Sequence, residues 1–403
     1  MCFPRQIVLL VPALLLTALL SGQTCYSPAV SHLGSDGSPP SSGLIDLAAT
    51  TLEVDTFAEL ANVPGNGSGV YVKDAWLVVF RYTAVTLTGS LSFAPHPSGA
   101  PVMWIVAGDV LLMPGSILDL RGEDCAQVSP GPWSQPGPGG FAGGQQACPG
   151  FGQASGLGPG GGPNPGGPAA GKGAEEFTEP GLPLLIGGSG GRGTEGLPGA
   201  AGGGAICIAA SGTITIDGAI TARGGSSCNS NATQGGGGAV KLLATNIAGS
   251  GEVDAQGGGV ASFVSRGRVH IGYCGANTFT GCTEPAASVD LFAAATAPTL
   301  FPVQPPMLRV TQIESLSSGQ VYLLSDDPDA GLDTIEAPVA AGESLIHVEG
   351  VNIPAGLSVE VRVTARQGLN TGSPFPVTNW NGSSGTVQVT LPDGRFEIQA
   401  VAR

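Results

Sequence analysis

Two aspartates occupy equivalent positions in a repeated strand pattern, and their types and spacing could provide acid–base chemistry. Asp119 lies in Leu-Asp-Leu-Arg-Gly and Asp254 in Val-Asp-Ala-Gln-Gly, and the copy between them carries Thr221. If the copies stack as strands about 4.8 Å apart, the carboxylates stand about 9.6 Å apart at the backbone, near the upper limit for an inverting glycosidase. Arg121 and Arg223 lie beside this column. We favour the alternative, a solvated polar ladder on the sheet surface.

The densest acidic cluster of the sequence is a candidate calcium site. Its candidate ligands are Asp327, Asp329 and Asp333, and calcium prefers several oxygen ligands from one turn. The spacing departs from the EF-hand pattern because glycine falls where a ligand is needed, so we favour an acidic surface loop. Paired Cys-x2-Cys spacings are absent from the sequence, so we expect neither a zinc site nor another cofactor.

Six cysteines in the body of the chain are candidates for disulfides, because an even set in an exported protein suits such bonds. Cys274 and Cys282 flank a loop and form the favoured pair. Cys207 is expected to point outward from a strand, where it could bond to a loop cysteine such as Cys228. The full candidate set is Cys125, Cys148, Cys207, Cys228, Cys274 and Cys282.

Residues 1–25 have the pattern of a bacterial secretory signal. A positive charge at Arg5 precedes an apolar run that is too short for an easy membrane span. Cleavage before Cys25 would make that cysteine a lipidation site, and cysteine parity favours this reading, although the residues before Cys25 form a poor lipobox. Residues 26–43 would then be a flexible tether. We therefore expect an extracytoplasmic protein, either lipid-anchored in the envelope or freely secreted.

The composition excludes several classes of protein. Glycine reaches 67 and proline 33 of 403 residues, whereas only 11% of residues are charged, so long helices are not expected. The formal net charge of −15 opposes binding to the phosphate backbone of nucleic acids. Contact with a membrane is expected only through the lipid anchor.

Short strands with alternating apolar and polar residues recur with one internal plan, and they predict stacked coils. The alignment places Leu118, Ile220 and Val253 in one inward column. A second, outward column contains Cys207, Lys241 and His270. We predict an all-β fold with a right-handed parallel β-helix, and an antiparallel sandwich or barrel is the rival.

The chain divides by composition. Residues 44–304 form the predicted β-helix, interrupted at 126–204 by a Gly/Pro-rich insertion. We favour a flexible insertion, and the alternative is a packed, extended segment with polyproline-II-like backbone. Residues 305–403 contain less glycine and several short alternating strands, which predict a small immunoglobulin-like β-sandwich.

Three segments carry a resemblance to a group of proteins. "GGGAICIAASGTITIDGAITARGG" and "GGGGAVKLLATNIAGSGEVDAQGG" resemble exported Gly-rich proteins of environmental bacteria, and "SLIHVEGVNIPAGLSVEVRVTARQG" resembles the sandwich that follows in them. The resemblance covers residues 70–403 and implies a pectate-lyase-like right-handed parallel β-helix. It implies no catalytic motif.

These observations lead to two functional hypotheses. The first is a non-enzymatic envelope or extracellular protein with a structural or adhesive role, which contacts polysaccharide or other envelope components. The second is a carbohydrate-active enzyme, a glycoside hydrolase or polysaccharide lyase, that uses Asp119 and Asp254 on the same scaffold.

Overall fold

The structure is a computed structural model, and it describes a defined part of the chain. The predictions for the signal at 1–25, for Cys148 and for the three calcium candidates Asp327, Asp329 and Asp333 lie outside the described residues. Those are residues 26, 50–54, 57–60, 70–72, 75–93, 96, 99–125, 134–144, 156–162, 170–176, 178, 180–194, 197–228, 234–259, 265–293, 307–323, 335–339, 341–351, 353, 356–367, 374–392 and 394–402.

The described residues form an all-β structure, as the sequence predicts. A 3-10 helix at Ala174–Glu176 accompanies the strands, and within the described ranges no helix has the length and apolar character that a membrane crossing requires. The first fifteen strands are β1 (Thr50–Val54), β2 (Phe57–Leu60), β3 (Val70–Val72), β4 (Leu77–Leu87), β5 (Ser90–Phe93), β6 (Val102–Val106), β7 (Val110–Leu112), β8 (Ile117–Asp119), β9 (Ala205–Ile216), β10 (Ala219–Thr221), β11 (Ala239–Ala248), β12 (Glu252–Asp254), β13 (Arg268–Tyr273), β14 (Cys282–Glu284) and β15 (Ser288–Leu291).

These strands form two parallel sheets. The larger sheet has the order β1-β4-β6-β9-β11-β13-β15, with β7 beside β4 and β9 and an antiparallel β3 beside β4. The smaller sheet has the order β14-β12-β10-β8-β5-β2. From β4 to β15 the chain alternates between the sheets, except that β6 and β7 both lie in the larger one, and each new strand lies beside an earlier strand of the same sheet. The parallel pairing contradicts the antiparallel sandwich or barrel for this region.

The strand registers agree with the predicted columns. Ile220 pairs with Leu118 on one side and with Val253 on the other, and all three side chains are fully buried. Apolar residues from the larger sheet, including Phe80 and Trp104, complete the same core. Burial of each such side chain contributes about 1.5–3 kcal/mol, so alternation of apolar and polar residues fixes which face of each strand turns inward.

The Gly-rich insertion is packed in its described parts, and the prediction of a flexible insertion is wrong there. Its extended segments form backbone hydrogen bonds with one another and with residues 234–238. We call this assembly the glycine bundle; it consists of residues 134–144, 156–162, 170–176, 180–194, 197–204 and 234–238. Bonds recur at every third residue between two of its segments, in the pairs Gly188–Gly203, Gly191–Ala200 and Thr194–Leu197.

The three-residue period of the glycine bundle is that of a polyproline II helix, whereas a β-strand has a period of two. The segments approach so closely that a Cβ atom at Gly143, Gly190 or Gly202 would overlap a carbonyl oxygen of a neighbouring segment. These positions require glycine because the backbones of neighbouring segments are in direct contact. In the described parts of the insertion, this packing agrees with the alternative interpretation of a packed, extended segment.

The C-terminal strands form two antiparallel four-stranded sheets, with orders β17-β16-β19-β22 and β18-β23-β20-β21. Side chains from both sheets, among them Ile346 and Phe396, share one apolar core. The strands are β16 (Met307–Ser315), β17 (Val321–Leu323), β18 (Ile335–Val339), β19 (Gly342–Val351), β20 (Val359–Gln367), β21 (Phe375–Pro376), β22 (Ser384–Leu391) and β23 (Gly394–Ala402).

An arginine of the C-terminal region contacts the glycine bundle. Arg362 on β20 is 4% exposed. Its Nη1 atom donates a hydrogen bond to the carbonyl oxygen of Gly158 at 3.3 Å, and its Nε atom donates to Glu360 at 3.1 Å. The bundle thus presents backbone carbonyl groups to a charged side chain of β20.

Candidate functional site

A polar column crosses the outer face of the smaller parallel sheet. Thr221 pairs with Asp119 on one side and with Asp254 on the other, as the sequence predicts. The column extends beyond the predicted residues, because Leu91 pairs with Leu118 and Asp254 pairs with Glu284. One step along β5 and β8 places Ser92 beside Asp119. Its members in strand order are Ser92, Asp119, Thr221, Asp254 and Glu284.

Each aspartate of this column forms an ion pair with an arginine. Arg121 donates from Nη2 and Nε to Asp119 at 2.7 and 2.9 Å; Asp119 ends β8 and Arg121 lies in the turn that follows. Arg223 follows β10 and lies 3.3 Å from Asp254 on the neighbouring strand. The first ion pair therefore joins a strand to its own turn, and the second joins neighbouring strands.

Asp254 is the more buried of the two aspartates, at 7% exposure. Burial raises the pKa of its carboxyl group, and the negative charge of Glu284 acts in the same direction. The backbone amide of Gln256, which donates to Asp254 at 3.0 Å, and the Arg223 guanidinium oppose that shift of the pKa. The Gln256 side chain also donates to Glu284, so the column continues as a connected polar network.

The two aspartates lie two strands apart, which corresponds to about 9.6 Å at the backbone. A carboxylate that acts as a general base must be able to accept a proton from the attacking water. Asp119 accepts three hydrogen bonds from Arg121, including one from its backbone amide at 3.0 Å. This arrangement favours a binding or structural role for Asp119 over an acid–base role.

A groove of about 700 Å³ opens beside the column, a size in the range of ligand sites. The two turns that follow β8 and β10 line its floor, and the segment 135–138 at the start of the glycine bundle lines one wall. Glu123 and Asp124 line it and also fix its walls, since they accept hydrogen bonds from the backbone amides of Gln135 and Ser226. The lining includes Ser92, Phe93, Asp119, Arg121, Glu123, Asp124, Gln135, Pro136, Pro138, Arg223 and Ser226.

A disulfide joins Cys125 and Cys228 next to this groove, with their Cα atoms 5.6 Å apart. The suggested pairing of Cys207 with Cys228 is therefore wrong. Cys207 is a free thiol at 1% exposure. Cys274 and Cys282 are both in disulfides, and a bond between them stays a prediction.

The second predicted column has the expected register but is covered. Lys241 pairs with Cys207 and with His270 on neighbouring strands of the larger sheet, yet all three side chains are buried. The glycine bundle lies over this face, since Leu182 and Leu185 share an apolar cluster with Cys207. The sequence predicted that this face is exposed to solvent because the insertion was expected to be flexible.

Two hydrogen bonds join the covered column to the glycine bundle. Lys241 donates from Nζ to the carbonyl oxygen of Leu182 at 2.9 Å. Ser288 donates from Oγ to the carbonyl oxygen of Pro180 at 2.6 Å, and its Oγ lies 3.0 Å from Nδ1 of His270. Burial lowers the pKa of Lys241, and burial together with Lys241 lowers the pKa of His270 to about 4.

Ser288, His270 and Asp290 include the residue types of a hydrolytic triad, but their geometry differs from one. Both Ser288 Oγ, at 3.0 Å, and Asp290, at 3.9 Å, approach the same nitrogen, Nδ1 of His270, whereas a triad uses both ring nitrogens. The Ser288 hydroxyl proton is directed to Pro180. The geometry therefore favours a structural contact with the bundle over activation of Ser288 as a nucleophile.

The described residues contain no group of three or more His, Cys, Asp and Glu side chains that could hold a metal ion. No protein-family model, curated protein or solved structure matches the chain.

Proposed function

We propose that this protein is a non-enzymatic component of the cell envelope or extracellular space, with a structural or adhesive role, and that it contacts polysaccharide through the polar column and groove. The observation that carries the proposal is the pairing of Asp119 with Arg121 and of Asp254 with Arg223. Paired carboxylates and guanidiniums bind hydroxyl groups well, whereas hydrolysis needs a carboxylate that is free to exchange a proton.

The proposed scaffold is a right-handed parallel β-helix followed by an immunoglobulin-like sandwich. Alternation of the chain between two parallel sheets supports the β-helix, and parallel connections are right-handed in nearly all proteins. Two antiparallel sheets around one core support the sandwich. The resemblance to exported Gly-rich bacterial proteins agrees with this architecture, which would serve as a rigid stalk.

An extracytoplasmic location remains part of the proposal. The disulfide between Cys125 and Cys228 supports it, because such bonds persist in oxidising compartments. Tyr26, the first residue of the proposed tether, is 1% exposed and its ring lies 5.4 Å from that of Phe292. A tether anchored at its first residue favours secretion over lipidation at the adjacent Cys25.

A carbohydrate-active enzyme is the second candidate, and one observation favours it. Burial raises the pKa of Asp254, which is the direction that a general acid requires. In that function Asp254 would protonate the leaving group and Asp119 would act on the opposite side of the bond.

A combined binding and turnover experiment separates the two candidates. The full chain, purified after export, is applied to a glycan array and incubated with the same glycans while reducing ends and unsaturated products are measured. Binding without product supports the adhesive role. Product formation that Asp254→Asn abolishes, in a variant that keeps its unfolding temperature, would overturn it in favour of the enzyme.

A further inference from the structure

We infer that the ligand of the polar column and groove is a neutral, hydroxyl-rich polysaccharide chain that lies across the strands of the smaller sheet. This inference rests on the proposed function and specifies its ligand class. The charge balance, the spare hydrogen-bonding capacity of the column, and its length carry the inference.

The column is long and straight because it follows the stacking direction of a parallel sheet. Between Ser92 and Glu284 lie three residues on successive strands, and beyond Ser92 the register continues to Glu59 on β2. Four steps of about 4.8 Å give a length of about 19 Å. A small ligand would touch one or two strands, whereas an extended polymer can contact each strand in turn.

The charge balance disfavours an anionic polymer. Among the described residues of the column and groove are five carboxylates, those of Asp119, Glu123, Asp124, Asp254 and Glu284, against two arginines, Arg121 and Arg223. Both arginines are bonded to aspartates, and the whole chain has a net charge of −15. A polyuronate or a nucleic acid would meet net repulsion here, so the ligand must carry little negative charge.

The hydrogen-bonding groups suit hydroxyl pairs. Arg121 commits Nε and one Nη2 proton to the Asp119 side chain, and a guanidinium has five N–H donors, so three donors remain on a side chain that is 57% exposed. Asp119 retains acceptor capacity on Oδ2. An adjacent donor and acceptor can bind two neighbouring hydroxyls of a sugar, since a hydroxyl both donates and accepts.

The groove lacks a flat aromatic platform among its described lining residues. Phe93 belongs to the lining but is 6% exposed and packs against Trp104. Binding therefore depends on hydrogen bonds that compete with water, each with a small net contribution. We expect weak affinity at a single column and stronger retention where many copies contact one polymer.

Affinity electrophoresis tests the ligand class directly. The full chain is run in native gels that contain a neutral β-1,4-linked glucan or mannan, or polygalacturonate, at low and high salt. Asp119→Asn and Arg121→Gln probe the column. Arg309→Gln is the matched control, because Arg309 forms an exposed ion pair with Glu349 at 3.3 Å on the C-terminal sheet.

The expected result is retardation by a neutral polysaccharide that changes little with salt, since no ion pairs form with the ligand. Loss of Arg121 or Asp119 contacts is expected to weaken the association about tenfold, and Arg309→Gln is expected to match the wild type. Thermal unfolding of each variant checks that these exposed substitutions preserve the fold.

Three outcomes would overturn the inference, and they separate it from the proposed function. Retardation by polygalacturonate alone, relieved by Arg121→Gln, would replace the neutral class with an anionic one and leave the adhesive role intact. Retardation by a neutral glycan that both column variants retain would move the site elsewhere. Absence of retardation in every gel would refute the inference that the ligand is a neutral polysaccharide. Sedimentation of the chain with isolated envelope material would then test the adhesive role alone.

Discussion

The Nζ atom of Lys241 lies 2.9 Å from the carbonyl oxygen of Leu182 and donates a hydrogen bond to it. This bond joins β11, an interior strand of the larger sheet, to the glycine bundle 59 residues earlier in the chain. Lys241 is 6% exposed, so the Leu182 carbonyl has little access to water that could replace the lost donor. The position of the insertion therefore depends on a charged group that is held under it.

Lys241→Met is expected to loosen the glycine bundle. The substitution keeps most of the side-chain volume but removes the donor to Leu182, and an unsatisfied buried carbonyl costs about 1–3 kcal/mol. Limited proteolysis should cleave within 180–194 faster in this variant. Lys172→Met is the control, because Lys172 forms an exposed pair with Glu176 worth about 0.5 kcal/mol or less. Equal cleavage rates in both variants would contradict this role.

Acidification is expected to destabilise the contact between the larger sheet and the bundle through His270. Burial, followed by the charge of Lys241, lowers the pKa of His270 from 6.5 to about 4, and Asp290 opposes the shift. Because the folded-state pKa is the lower one, the unfolded chain binds this proton first as the pH falls. The His270 contribution is therefore complete above pH 6.5 and is lost as the pH falls towards 4.

Urea unfolding at a series of pH values measures this dependence. The wild type should lose stability between about pH 6.5 and about pH 4, in addition to the contribution of its carboxyl groups. His270→Gln keeps a hydrogen-bonding side chain but cannot titrate, so its slope in this window should be smaller. An identical slope in the two proteins would assign the pH dependence to other groups.

Gly190→Ala is expected to disrupt the glycine bundle. A Cβ atom at this position would overlap the carbonyl oxygen of Ala142 on the neighbouring segment, and overpacking of this kind costs about 1–3 kcal/mol. At Gly181, in the same insertion, a Cβ atom would meet nothing within 4 Å. Gly181→Ala should therefore stay within about 0.5 kcal/mol of the wild type in chemical unfolding. A neutral Gly190→Ala would show that the segments do not pack as described.

Cysteine counting now favours Cys25 as a disulfide partner. Removal of Cys2 with the signal leaves seven cysteines, and Cys207 is a free, buried thiol. The remaining six form an even set only if Cys25 is included and carries no lipid. Burial raises the pKa of Cys207 to about 11, so its thiol should react slowly with alkylating reagents in the folded protein.

Intact mass spectrometry of the exported chain tests this assignment. We expect no lipid mass, and one alkylated thiol after denaturation without reductant. Cys207→Ala should show none under the same conditions, which identifies the thiol. A diacylglyceryl mass on the N-terminal peptide, together with a second free thiol, would restore the lipoprotein interpretation.

The local sequence determined the β-strands and their inward faces, because alternation of apolar and polar residues imposes one buried side on a strand. It also determined the registers of Ile220 with its two neighbours and of Lys241 with Cys207 and His270, since repeated coils place equivalent residues side by side. The strands Val321–Leu323, Ile335–Val339 and Phe375–Pro376 were not predicted, because two to five residues show no period by themselves and these strands, unlike β8, β10 and β12, have no equivalent copy in a repeat.

The tertiary structure alone decided which outward faces meet solvent. The column through Asp119 and the column through Lys241 look alike in sequence, yet the first borders an open groove and the second is covered by the glycine bundle. Glycine has no side chain whose polarity could indicate a partner, so the local sequence allowed both a flexible and a packed insertion, and long-range backbone hydrogen bonds decided between them. The same long-range contacts left Cys207 reduced and brought Cys125 to Cys228 across 103 residues.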